Sequence, residues 1–401
     1  MTYIESVLIF SVFILFINFE QQNSKVALSL NSMLLLYGAL YSLGSLYDYD
    51  AINKNISYLL MISVIITYIS AKFTESILLT TTNREVNYRL DLYFTSKFKN
   101  SIIILTILCV IMFFYLFFVK INIVEFIYST RGGRSLLLSG YGPLMFFKDT
   151  LSAIYIISLV LYLYRMNDFF YKRLLIFCGL FTLVYSIITI SRAHFVLVAL
   201  STLYMLSYTK RLSIFYVNLI LVVGVFLAIS WKWMLSSLIF KGSIDFSSFE
   251  LEIPSELVHW NNITNNMLQE DIIMGRSFLD AICSLLYPFY DTTPLSVWYV
   301  NKYEPLVASI GGGRGFSLLA EAILNFGLLG IPLVFLILGI FIGIINTFSK
   351  KYIYFLFISA TLIPIMHKIF RSELLSLTKV WWWYSIVPIT LIILISRCKF
   401  K

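Results

Sequence analysis

The sequence predicts an all-α polytopic membrane protein, and three observations predict it. Of its 401 residues, 59% are hydrophobic and 13% charged, where a soluble domain is roughly 45–50% apolar and about 25% charged. Mean hydropathy is +0.86. Apolar runs of the length that crosses a bilayer, about 20 residues, recur along the whole chain. The net charge of +9 would suggest nucleic acid in a soluble protein. Here it fits the loops that orient a membrane bundle, so no nucleic-acid partner is inferred and the bilayer itself is the first partner.

Taken in order, the apolar runs predict eleven transmembrane helices, near residues 3–19, 27–47, 57–79, 101–119, 144–164, 174–190, 194–209, 212–231, 317–346, 352–370 and 380–396. No basic stretch precedes the first run and no small-residue cleavage site follows it, so it reads as a retained span and not a signal peptide. Basic residues gather in alternate connections: Lys25; Arg84, Arg89, Lys97 and Lys99; Arg165, Lys172 and Arg173; Lys210 and Arg211; Lys350 and Lys351; Arg397, Lys399 and Lys401. All fall on one side of the eleven-span arrangement, which makes that side cytoplasmic and puts the N-terminus outside. Lys72 and Glu75 interrupt the third run, leaving either a longer span or a short amphipathic helix on the inner surface.

Three parts follow: a first membrane bundle over 1–231, a large extracytoplasmic loop over 232–316, and a closing bundle over 317–401. A structureless connection as long as the middle part would be unusual, so helices are expected within it. It carries five basic and nine acidic residues, the reverse of the chain as a whole. Phe278, Ile282, Leu285, Leu286 and Phe289 recur at helical spacing, which predicts a segment on the outer membrane surface, ended by Pro288 and Pro294.

Six arginines, Arg131, Arg134, Arg192, Arg276, Arg314 and Arg371, map to the outer side, where the orientation rule thins positive charge. Three stretches set them beside small residues: Arg131-Gly132-Gly133-Arg134, Gly275-Arg276-Ser277 and Gly311-Gly312-Gly313-Arg314-Gly315. Glycine lets backbone approach a ligand, and guanidinium forks match phosphate oxygens, so the pattern suits a phosphate or diphosphate at the membrane surface. Any one of them can instead snorkel to headgroups or pair with a loop acid.

Ser317, Glu321 and Asn325 fall on one helical face at the outer end of an apolar span. A carboxylate there is costly and reads as functional by default, either as a base or in a salt bridge to Arg314 or Arg192. Gly339 and Gly343 form a small-xxx-small pair that packs helices. Ser191-Arg192-Ala193-His194 makes an outer hairpin in which His194 is a second candidate base or a solvated side chain. In His367-Lys368-Ile369-Phe370-Arg371-Ser372-Glu373, Arg371 is the phosphate candidate and Glu373 its expected partner. Asp48-Tyr49-Asp50 could hold a metal but reads as turn chemistry. His259 has no constellation around it. The cysteines Cys109, Cys178, Cys283 and Cys398 form no Cys-x-x-Cys pair, and no disulfide framework, metal site or cofactor is expected.

The run Gly-Phe-Ser-Leu-Leu-Ala-Glu-Ala-Ile-Leu-Asn-Phe-Gly-Leu-Leu-Gly after a long outer loop, with the Ser-Arg hairpin before it and Phe-Arg-Ser-Glu-Leu after it, resembles the Wzy-type O-antigen and oligosaccharide repeat-unit polymerases. The likeness runs from about Arg131 to Glu373 and is specific around Glu321. It implies a GT-C-like membrane glycosyltransferase of the bacterial inner membrane, joining undecaprenyl-diphosphate-linked oligosaccharides on the periplasmic side with inversion. It also implies a flippase and a chain-length-regulating co-polymerase as partners. Relatives often have more spans with both ends cytoplasmic, a departure that bears on the first hundred residues. On this reading Arg192, Arg276, Arg314 and Arg371 take the diphosphates without a metal, Arg131 and Arg134 contribute at the edge, and Glu321 or His194 serves the acceptor hydroxyl. An O-antigen ligase would need a loop histidine, for which His259 is the candidate. A flippase or transporter would need basic groups inside the bundle, whereas these arginines crowd one face.

Overall fold

The computed structural model describes residues 3–43, 54–80, 93, 95–129, 137–138, 141–164, 168–189, 192–224, 262–286, 292–309 and 315–397. These residues are helical with no strand. The helices are α1 (Tyr3–Ser24), α2 (Leu30–Leu43), α3 (Lys54–Thr80), α4 (Ser96–Phe114), α5 (Ile123–Tyr128), α6 (Gly142–Tyr164), α7 (Phe169–Ile188) and α8 (Arg192–Tyr208). Next come α9 (Ile214–Gly224), α10 (Arg276–Cys283), α11 (Leu295–Tyr303), α12 (Pro305–Ser309), α13 (Leu318–Phe326) and α14 (Gly330–Ser349). The chain closes with α15 (Ile353–Leu362), α16 (Lys368–Arg371), α17 (Leu374–Trp381) and α18 (Val387–Arg397).

Five helical stretches are long and apolar enough to cross a membrane: Val7–Ser24, Tyr58–Leu79, Ser96–Lys120, Phe169–Ile188 and Leu318–Ser349. Shorter apolar helices occupy Leu30–Tyr41, Thr150–Tyr164, Ala193–Tyr208, Ile214–Gly224, Ile353–Ile365 and Val387–Arg397. The span read as continuous over 317–346 is interrupted. Gly327 adopts φ +63°, a conformation open to glycine. The short turn Gly327–Leu329 there separates α13 from α14. A period of hydrophobicity cannot reveal that break, because both halves are equally apolar.

Between α3 and α14 lies the closest helix packing. A β-carbon at Gly339 would stand 1.8 Å from Ser70 Oγ and 2.4 Å from the Thr67 carbonyl oxygen, and one at Gly343 would stand 2.6 Å from the Ala71 carbonyl oxygen. The small-xxx-small pair thus packs helices as its spacing predicts, since lipid supplies no hydrophobic drive and close backbone approach must supply dispersion instead. Thr67 adds a bond across the seam, donating to the Phe335 carbonyl at 3.2 Å.

The interruption at Lys72 and Glu75 resolves as a longer α3, with both charges turned into the bundle. Lys72 Nζ lies 2.7 Å from Glu20 Oε2 and 3.3 Å from Glu75 Oε2. Asn31 and Asn346 each donate to Glu75 Oε1, at 2.9 and 2.8 Å, and Tyr68 donates to Glu20 at 3.2 Å. Buried charge persists only when paired and hydrogen-bonded, and this cluster joins α1, α2, α3 and α14 on those terms.

The other half of the bundle packs α6 against α4, α7, α8, α15 and α18. Polar side chains stitch it: Ser201 donates to the Ala360 carbonyl at 2.9 Å, Tyr204 and Ser359 lie 2.9 Å apart, and Tyr155 and Thr202 lie 2.6 Å apart. At the start of α7, Asp168 accepts from the Phe170 N–H at 3.0 Å and pairs with Lys99 at 2.6 Å. Tyr208 donates to the Ser349 carbonyl at 3.1 Å, tying this half to α14.

Candidate functional site

The site is built on α13. Ser317 caps it, its Oγ accepting from the Ala320 N–H at 3.1 Å, the role for which serine is favoured at a helix start. One turn on, Glu321 is fully buried, with Asn325 buried one turn beyond it. The polar stripe read from the spacing is therefore present, with Ser317 serving as a cap and the other two facing the loop.

What they face is α10. Ser277 Oγ donates to Glu321 Oε1 at 2.6 Å, and Asn325 Nδ2 donates to Ser277 Oγ at 2.7 Å. The Ile273 N–H donates to the Leu324 carbonyl at 3.1 Å. Gly275, at φ +81°, lies where a β-carbon would stand 3.1 Å from the Phe326 ring, and Phe278 stacks on Phe326 with centroids 6.0 Å apart. The loop thus folds back as helix onto the first half of the broken span. The other oxygen of Glu321, Oε2, accepts from the Leu374 N–H at 2.6 Å. One carboxylate ties the residue after Arg276 to the third residue after Arg371. Each oxygen accepts one of these donors, which leaves a further lone pair on each.

Beside it, Glu373 is also buried, 1% exposed. Ser296 Oγ donates to its Oε1 at 3.4 Å, and Ser376 Oγ donates to the same oxygen. Burial raises its carboxyl above the ordinary range, and Ser376, its own backbone N–H, Ser296 and Lys368 pull the other way. The expected partnership with Arg371 is corrected here: Glu373 turns to the serines of α11 and α17.

Arg276 is exposed at the start of α10, and Arg371 is half-buried at the end of α16. The elements carrying them meet through α17, which packs on α10 and on α16, while α13 touches both α10 and α16. A β-carbon at Gly315 would stand 2.9 Å from the Arg371 carbonyl oxygen, so the end of the glycine run passes against that turn. Arg192 begins α8, and His194 two residues later sets its ring edge-on to Tyr185, centroids 4.6 Å apart. Arg131, Arg134, Arg314, His259, Cys398 and Asp48-Tyr49-Asp50 lie outside the described residues. Among those described, no cluster of three or more His, Cys, Asp or Glu could hold a metal.

On its outward face α10 exposes Leu279 and Ile282, with Leu286 just beyond it. Of the residues read as one apolar face, Ile282 and Leu286 are exposed, whereas Phe278 turns inward onto Phe326. The sequence did not single out the roles of Ser277 and the Leu374 N–H. Ser277 stood in the text beside Arg276, but its bond to a carboxylate 44 positions away leaves no local trace. A backbone N–H leaves none at all.

Among the described residues, the site and fold define a helical protein with membrane-length apolar helices, in which a segment of the long connection is clasped by buried carboxylates to the first half of a broken helix. Residues 260–401, which hold every contact of that clasp, match the family model described as O-antigen polysaccharide polymerase Wzy, and the match supports a Wzy-type polymerase. The fit agrees with the resemblance carried by the residues around Glu321. No curated protein and no solved structure matches the chain.

Proposed function

We propose that the protein is a glycosyltransferase of the bacterial inner membrane that polymerises undecaprenyl-diphosphate-linked repeat units on its periplasmic side. The observation that carries this reading is the Glu321 clasp, which fixes Ser277 beside Arg276 and Leu374 near Arg371 through two bonds of 2.6 Å. Arg276 and Arg371 take the diphosphates of donor and acceptor, with Arg192 and Arg314 completing the set and Arg131 and Arg134 at its edge. Glu321 is the positioning residue for that arrangement. His194, against Tyr185, is kept as a secondary contributor.

The chemistry suits guanidinium groups without a metal. As the growing glycan leaves its lipid carrier, charge develops on the diphosphate. An ion pair at about 4 Å in an effective dielectric near 20 is worth roughly 4 kcal/mol before desolvation. Each ~1.4 kcal/mol gained only at the transition state gives tenfold in rate. A single displacement on the anomeric carbon inverts it. The eleven-span arrangement with the N-terminus outside is the topology proposed, supported by the five long and six shorter apolar helices at the expected positions. The flippase that delivers the units and a co-polymerase that sets chain length are the proposed partners.

The test is reconstitution. Purified protein in vesicles, given an undecaprenyl-diphosphate-linked repeat unit and no other protein, lengthens the glycan to a ladder on a gel. Arg276→Ala and Arg371→Ala each lose the ladder while the protein stays folded in the membrane. A wild-type ladder from both variants overturns the arginine assignment, and no lengthening by the wild-type protein overturns the function.

A further inference from the structure

A glycosyl transfer of this kind needs a group to accept the proton of the attacking hydroxyl, and the clasp commits Glu321 to holding two segments together. Its Oε1 is held by Ser277 and its Oε2 by the Leu374 N–H. The neighbouring carboxylate is disposed differently. Both serine hydroxyls that reach Glu373 bond the same oxygen, Oε1; its own backbone N–H is a further donor to the carboxylate, and Oε2 takes no side-chain donor among the described residues. Ser296 and Ser376 are themselves only partly buried, so the buried carboxylate is bonded to hydroxyls that reach the surface. It stands two residues after Arg371 and immediately before the N–H that Glu321 holds.

We propose that Glu373 is the catalytic base, accepting the proton of the acceptor sugar's hydroxyl on Oε2. The inference rests on the polymerase reading above. In the step, the acceptor oxygen bonds to the donor's anomeric carbon as its proton passes to Glu373. The bond from that carbon to the lipid diphosphate breaks, and the diphosphate leaves with the electron pair, stabilised by the arginines. Release of the proton to water restores the carboxylate. Burial raises the Glu373 carboxyl above the ordinary carboxylate range, the direction that strengthens a proton acceptor. The titratable and charged groups on the elements packed around it are Lys368 and Arg371 on α16, Glu321 on α13, Arg276, Asp280 and Cys283 on α10, Tyr299, Lys302 and Tyr303 on α11 and Lys379 on α17.

The experiment is steady-state turnover of the reconstituted protein against pH. Glu373→Gln drops kcat about 100-fold or more, the usual contribution of a base, with KM and undecaprenyl diphosphate binding unchanged. Glu373→Asp keeps measurable turnover. The double variant Ser296→Ala, Ser376→Ala retains the carboxylate but removes two bonds that favour its charged form, so the acid limb of the pH profile moves to higher pH. Wild-type kcat in Glu373→Gln overturns the assignment. So does an unmoved pH profile in the serine variant, which decides the matter if Glu373→Gln fails to fold. Loss of lipid diphosphate binding in Arg276→Ala is independent of these results, so the function can stand if the base assignment falls.

Discussion

At the residue scale the account turns on how two buried carboxylates divide their lone pairs. Glu321 is fully enclosed, and each oxygen meets a donor at 2.6 Å. Bonds to a charged acceptor are among the stronger ones, and removing one partner leaves a buried group unsatisfied at about 1–3 kcal/mol. Ser277→Ala is therefore expected to destabilise the solubilised protein by about 1–3 kcal/mol in thermal melting and to lower polymer yield. An unchanged melt would show that the clasp contributes nothing. A second residue-scale expectation concerns Glu270, whose carboxyl is held below its ordinary value by the hydrogen bonds from Lys302 and Tyr303. A depressed acid stabilises the fold above its unfolded value, near 4.5, and loses that contribution as pH falls through the lower folded value. Melting temperature should fall in that acid window, and Glu270→Gln should flatten the fall. Glu321 and Asn325 were legible in the sequence because two polar groups four apart in an apolar run have few places to go. Ser277 was not, because its meaning is set by a partner on another helix.

At the element scale the seam between α3 and α14 carries the membrane packing. Gly339→Ala puts a methyl group 2.4 Å from the Thr67 backbone carbonyl as well as 1.8 Å from the Ser70 hydroxyl. The hydroxyl can rotate away and the carbonyl cannot, so adding Ser70→Ala should fail to rescue the variant. Recovery of the wild-type melting temperature in the double variant would contradict this. The glycine spacing made the seam readable. The break between α13 and α14 was hidden, because Gly327 sits among leucines and nothing in their hydrophobicity records its positive φ. The same holds for Lys72 and Glu75, which looked like an interruption of a span and instead meet Glu20, Asn31 and Asn346 across three other helices. Lys72→Met leaves two carboxylates uncompensated; a fully buried pair costs about 3–5 kcal/mol to break, and the loss here is smaller because the Lys72 side chain is a third exposed to solvent. The triple variant with Glu20→Gln and Glu75→Gln should recover most of the folded yield.

At the scale of the whole molecule, a bundle braced by α1, α2 and α3 at one side of α14 presents, at the far end of the same broken helix, a site assembled mainly from α10, α11 and the 368–381 turn. This division explains why apolar runs gave the helices in nearly the right places while the site needed the fold. Length and hydrophobicity are local properties, whereas the approach of α10 to α13 and α17 joins residues 277, 321 and 374. The six arginines were visible as departures from the charge rule, yet of them only Arg276 and Arg371 have described side chains. The central claim, that these guanidinium groups grip a prenyl-linked diphosphate, is tested most directly by equilibrium binding of undecaprenyl diphosphate to purified wild-type, Arg276→Ala and Arg371→Ala protein. The account predicts saturable binding that weakens at least about tenfold, ~1.4 kcal/mol, in each variant. Equal affinity in all three would contradict it.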